Sequence, residues 1–172
     1  MVSIRHPTSG FTLVELMVVV AIAGLLAGLA IPTFSRNWEG ERLNGASKEL
    51  IAWLDDVRRR ALQQSETCRI QVDATNASLK PASTNTCGSF TGLELRSVGP
   101  GLNQLQLLPE SSSTPTTLVF TPRGTTTTAA SYRLTLTNSS SGQARCIRLI
   151  APLGLIRSGL LRADECDFTT AY

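Results

Sequence analysis

"SGFTLVELMVVVAIAGLLAGLAIP", from Ser9 to Pro32, is the stretch on which the reading of this chain turns. Between Phe11 and Ile31 its only ionisable side chain is Glu15. As a helix rising 1.5 Å per residue that run is about 31 Å long, close to the hydrocarbon thickness of a bilayer. A carboxylate costs roughly 2.5–3.5 kcal/mol at the centre of such a helix and less near its end, where it reaches the interface. Glu15 is in the first turn, so one reading is that it complements the positive helix end. The other is that it awaits a cationic partner.

The flanks narrow the choice. "MVSIRHPTSG" carries Arg5 and His6 and no acid, a basic flank before an apolar run as in a secretory signal. The run is too long for a typical signal core, and no A-x-A-like site follows it. Gly24 and Gly28 have the G-x-x-x-G spacing that lets helices approach closely, although apolar helices often contain glycine without such a role. Pro32 lacks an amide hydrogen and is expected to bend or locally melt the helix. Beyond it, "LNGASKELIAWLDDVRRRALQQSE" places Leu43, Ala46, Leu50, Leu54, Val57 and Ala61 at steps of three and four. That spacing predicts an amphipathic helix laid on a globular domain, with Trp53 flanking the apolar face. Asp55, Asp56, Arg58, Arg59 and Arg60 read as a solvated face with i,i+4 pairs.

The Gly10–Phe11 junction, Thr12, Leu13 and Glu15 together resemble the class III signal of type IV pilins and pseudopilins. The resemblance implies that a prepilin peptidase cuts between Gly10 and Phe11 and methylates the new amine of Phe11. It also implies a partner for Glu15: the cationic amine of a neighbouring subunit's Phe11, met during assembly. Pro32 stands where that family places a helix-bending proline.

After Ser65 the texture changes to short alternating or β-branched stretches: "CRIQVDA", "GLELRSVG", "NQLQLLP", "TLVFTPRG", "SYRLTLTN" and "ARCIRLIAPLGLIRSG". Ser, Thr, Gly and Pro breaks separate them, which predicts about seven antiparallel strands. The expected fold is α+β: a long N-terminal helix, half transmembrane and half amphipathic, packed on an antiparallel sheet domain as a lollipop. The expected segments are a leader at 1–10, a transmembrane and assembly helix at 11–32, its amphipathic continuation at 33–66, and a β-rich domain at 67–172.

The later part, with Phe120 to Gly124 as a Phe-x-Pro-x-Gly turn and a glycine hairpin at Gly154, resembles the GspH/FimT-type minor pilins. That resemblance implies a minor pilin, or the H pseudopilin of type II secretion. Some relatives bind DNA through a C-terminal G-R-x-R stretch. The corresponding residues here are Gly154-Leu155-Ile156-Arg157, so the first Arg is missing. Arg157 and then Arg162 are the candidate phosphate contacts, within a late cluster that includes Arg133, Arg145 and Arg148. Only Tyr132 interleaves with them as a stacking platform.

The four cysteines, Cys68, Cys87, Cys146 and Cys166, all follow the apolar run and lack C-x2-C spacing, which argues against zinc. An even number outside the cytosol reads as two disulfides with three pairings open, against a reading as four core thiols. The pairs nearest in sequence, Cys68–Cys87 and Cys146–Cys166, each close a loop worth roughly 3 kcal/mol. Asp164, Glu165 and Asp167 form an acidic cluster that reads as a calcium site or a solvated tail held by Cys166.

No enzyme is expected. The one histidine, His6, lies in the leader, and no Gly-rich phosphate loop precedes a helix. Neither cofactor nor metal is expected. A net charge of +3 is too small to imply nucleic-acid binding by itself. Three functions fit these residues: a structural filament subunit, a DNA-receiving variant for natural transformation, and a plain membrane-anchored domain. The first has as partners other pilins or pseudopilins, the prepilin peptidase, the inner-membrane assembly platform and membrane lipid. It implies a single-pass inner-membrane protein with its C-terminal domain periplasmic or extracellular.

Overall fold

The structure, a computed structural model, describes residues 10–137, 139 and 142–169; over 29–37 only the backbone is described. The expected leader is therefore outside the described residues apart from Gly10. The chain divides into two compact units, with the boundary between Asn37 and Trp38.

One helix, α1, runs from Leu13 to Gln64. It continues through Pro32 without a break, so the local melting expected there does not occur. Its C-terminus is a Schellman motif. The Glu66 amide donates to the Ala61 carbonyl at 3.2 Å and the Ser65 amide to Leu62 at 3.4 Å, with Ser65 at φ 53° in the left-handed region. The turn delivers the chain straight into the first strand.

Nine strands follow among the described residues. They are β1 Cys68–Asp73, β2 Ser78–Pro81, β3 Leu93–Glu94, β4 Leu105–Pro109, β5 Thr117–Phe120, β6 Ala130–Leu136, β7 Ala144–Ile150, β8 Leu155–Arg162 and β9 Glu165–Asp167. They form two antiparallel sheets, ordered β3-β2-β1-β5 and β4-β6-β7-β8-β9. The amphipathic part of α1 packs on them. Leu43, Ala46, Leu50, Leu54, Val57 and Ala61 are all buried, in one core with Ile70, Leu79, Leu118, Phe120, Leu107, Leu134 and Ile147. The expected helix face and α+β class are thus the observed ones. Among the described residues every buried hydrophobic side chain, from Leu43 onward, falls in the second unit.

Local departures from expectation have local causes. "GLELRSVG" is a strand only at Leu93–Glu94, then a 3-10 turn at Leu95–Ser97. Leu95 is buried there, and Arg96 donates to the carbonyls of Leu105 at 3.0 Å and Thr75 at 2.9 Å, which folds the segment inward. Strand β2 was hidden because "SLKP" is too short and mixed to show alternation. A turn sets it up: the Asn76 amide donates to Asp73 Oδ1 at 3.1 Å and its side chain to Oδ2 at 2.7 Å. These bonds hold the Asp73 carboxyl below its usual pKa.

The two disulfides are Cys68–Cys87 and Cys146–Cys166, with Cα separations of 5.0 and 5.8 Å. The first ties β1 to the loop after β2. The second ties β7 to β9. The acidic cluster is accordingly no loose tail. Ala163 and Asp164, at φ 46° and 69°, make the two-residue turn of the β8–β9 hairpin. Asp164 meets Arg133 at 3.2 Å, and Asp167 accepts from Thr169, which lowers its pKa.

Candidate assembly surface

The N-terminal end of α1 is built from Thr12 and Glu15. The Glu15 amide donates to Thr12 Oγ1 at 3.2 Å, and the Leu16 amide to the Thr12 carbonyl, also at 3.2 Å. Thr12 is therefore the N-cap and Glu15 the third helical residue, the positions of a T-x-x-E capping box. The T-x-x-E signature is present in the sequence and adds a capping role to the two readings of Glu15, as an acid at the positive helix end and as the partner of a neighbouring amine. Phe11, immediately before the cap, is 80% exposed. From Leu13 to Leu26 the large apolar side chains are exposed all round the helix. A helix apolar on every side is one that is covered by other helices or by lipid. Among the described residues no helix is long and apolar enough to cross a membrane. Cβ atoms added at Gly24 or Gly28 would meet nothing within 4 Å, so both glycines are open to approach.

The second unit joins helix to sheets through Arg58. Its Nε donates to the Gly124 carbonyl at 2.7 Å and Nη2 reaches the Leu153 carbonyl at 3.5 Å. It thereby links the two turns singled out in sequence, Phe120–Gly124 and the β7–β8 hairpin at Gly154. The first turn is closed by the Gly124 amide on the Thr121 carbonyl and the Thr121 amide on Thr125, both at 2.8 Å. Gly154, at φ +68°, lies so close that a Cβ there would stand 2.6 Å from the Gly124 carbonyl oxygen. The expectation that the charge run is merely a solvated face is corrected at Arg58. It holds for Arg59 and Arg60, which pair with Asp55 at 3.1 Å and Asp56 at 2.8 Å. Trp53 is also engaged: its Nε1 donates to the Thr91 carbonyl at 3.1 Å beside Phe90.

The late arginines do not form one phosphate-binding row. Arg157 and Arg162 are five residues apart on β8, and strand alternation puts them on opposite faces. Arg162 lies 3.8 Å from Asp167, Arg133 is paired with Asp164, and Arg148 lies 3.7 Å from Glu110 with Phe168 beneath its guanidinium. Only Arg145 and Arg157 of that cluster lack an acidic partner among the described residues. No group of His, Cys, Asp and Glu among those residues could hold a metal ion.

Comparison with known proteins places the two halves separately. A motif described as the prokaryotic N-terminal methylation motif matches residues 5–31. The family described as Type II transport protein GspH matches residues 46–152. The chain belongs to the GspH family. The matched span includes the buried helix face from Ala46 to Ala61, Arg58 and the Phe120–Gly124 turn. No curated protein matches the chain. Among solved structures, FimU, a type IV minor pilin of Pseudomonas aeruginosa, is 20% identical with a TM-score of 0.53, over 75% of this chain and 95% of that one. EpsH, a minor pseudopilin from the Type 2 Secretion System of Vibrio cholerae, is 13% identical with a TM-score of 0.52, over 72% and 99%. At such identities the likeness is one of fold: a GspH-family helix and two antiparallel sheets, as in a pilin.

Proposed function

We propose that this GspH-family protein is a minor pilin or pseudopilin, a structural subunit of a type IV pilus or a type II secretion pseudopilus. The observation that carries the reading is the conjunction of the methylation motif over residues 5–31 with the family match over 46–152. In this account the prepilin peptidase cuts between Gly10 and Phe11 and methylates the Phe11 amine. Residues from Phe11 to beyond Gly28 span the inner membrane until the assembly platform extracts the subunit. The exposed apolar surface of that segment is then covered by lipid before assembly and by neighbouring subunits' helices afterwards. Gly24 and Gly28 permit the close approach.

Glu15 has two compatible tasks. As third residue of the capped helix it stabilises the helix start, worth roughly 0.3–1 kcal/mol. As a carboxylate in an apolar setting it selects a neighbour that brings a positive charge, the methylated amine of another subunit's Phe11. The test separates the tasks by comparing membrane level with filament incorporation for Glu15→Ala. The variant is expected in the membrane at normal level and depleted from sheared filaments. Incorporation equal to the unsubstituted protein's would refute the pairing.

A further inference from the structure

A groove of about 620 Å³ runs between α1 and β8, within the ~300–1,000 Å³ usual for ligand sites. On the helix side it is lined by Lys48, Ile51, Asp55, Arg58 and Arg59, and on the sheet side by Arg145 and the start of β8. Two features make it more than a crevice.

The first is an open strand edge. β8 pairs with β7 from Leu155 to Leu160 and with β9 only from Leu160 to Arg162. Among the described residues the other edge from Leu155 to Gly159 pairs with nothing. Leu155, Ile156, Ser158 and Gly159 all line the groove. Ile156 and Ser158 share a sheet face with Arg145 of β7, and Leu155, of the opposite parity, carries the groove to the end of the strand beside its unpaired edge. An unpaired edge is a template for another strand, and proteins normally cover or blunt it. The open edge is about 13 Å long at 3.3 Å per residue, room for a strand of four or five residues.

The second is charge. Four cations face the groove and the one acid, Asp55, is held by Arg59 at 3.1 Å. Lys48 is exposed and Arg145 half-buried, and neither has an acidic partner among the described residues. Arg58 is committed to carbonyl oxygens, which leaves its charge uncancelled.

We infer that this groove receives an extended acidic segment of a neighbouring protein, added as a strand to the Leu155–Gly159 edge of β8 with its carboxylates beside Lys48 and Arg145. A polyanion without amides, such as a nucleic acid, would meet the charges but leave the strand edge unpaired, so the two features together favour polypeptide. The inference rests on the filament reading only for the source of the segment, a second filament subunit. The site itself is tested with a free peptide, so either idea can fail alone.

The probe is a capped Asp-Val-Asp-Val-Asp-Val peptide at millimolar concentration, with the full oxidised chain in detergent micelles. Amide hydrogen exchange is followed in the fragment covering Leu155–Gly159, and affinity by anisotropy of the labelled peptide. Exchange there is expected to slow about tenfold or more, reflecting new backbone hydrogen bonds. Lys48→Glu with Arg145→Glu is expected to weaken the peptide about tenfold or more. A peptide N-methylated at alternate residues, or with Lys for Asp, is expected to give no protection. The inference is overturned by absence of protection with the acidic peptide, or by equal protection from either control peptide or from a DNA duplex.

Discussion

Replacing Arg58 by Met removes the link between α1 and the two turns while keeping a side chain of similar length. Its Nε bond to the Gly124 carbonyl is short, 2.7 Å, and charge-assisted; the Nη2 contact to Leu153, at 3.5 Å, is long and exposed. Hydrogen bonds to charged groups contribute about 1.5–3 kcal/mol. Arg58 is only half-buried, which places this one near the lower end, and the second contact adds little. The unit from Trp38 to Tyr172 falls between the size classes for which 1 kcal/mol shifts Tm by 4–8 °C and by 2–4 °C, so a loss of about 1.5 kcal/mol lowers Tm by roughly 6 °C. The assay is thermal unfolding of residues 38–172 by circular dichroism, with Arg59→Met as comparison. Arg59 makes an exposed pair with Asp55, and its loss is expected to change stability by less than about 0.5 kcal/mol. If the two variants melt together, the clip is not a stabilising contact and the account of how helix and turns are joined is wrong.

Reduction of the disulfides in the same unit releases two loops, with sequence separations of 19 and 20, at about 3 kcal/mol each in the chain-entropy model; the melting temperature should fall by more than 10 °C, and titratable thiols in the native oxidised protein would contradict the pairing. Tyr132 is buried, donates to the Pro115 carbonyl at 2.8 Å, and burial raises its phenol pKa from 10.0 to about 12. The unfolded chain therefore loses this proton first, so stability falls as pH rises from 10 towards 12, by on the order of 2–3 kcal/mol. Tyr132→Phe should flatten that part of the pH–stability curve while costing about 1 kcal/mol at neutral pH, and an unchanged alkaline slope would show that Tyr132 is not its source.

What the sequence made legible follows its local physics. The helix face from Leu43 to Ala61 was readable because burial on a helix imposes a period, and every one of its six residues is buried. The strands with clean alternation or β-branched runs, β1 and β4 to β8, were readable for the same reason. β2 and β9 were not: each is only three or four residues long and is defined by a turn, Asp73–Asn76 and Ala163–Asp164, that folds it back on the strand before it. Arg58 was illegible because its partners are 66 and 95 residues away, and nothing local distinguishes it from Arg59 and Arg60. The open edge of β8 was hidden likewise, since it depends on where β9 stops pairing. Arg157 and Arg162 looked adjacent in sequence, but five steps along a strand reverse the face.

The central claim is that this chain is made as a precursor and enters a filament through a processed N-terminus. Its most direct test is the intact mass of the protein extracted from membranes of a host with an active prepilin peptidase. The account predicts a chain beginning at Phe11 with a methylated amine. A chain that still carries Met1 to Gly10 in such a host would contradict it.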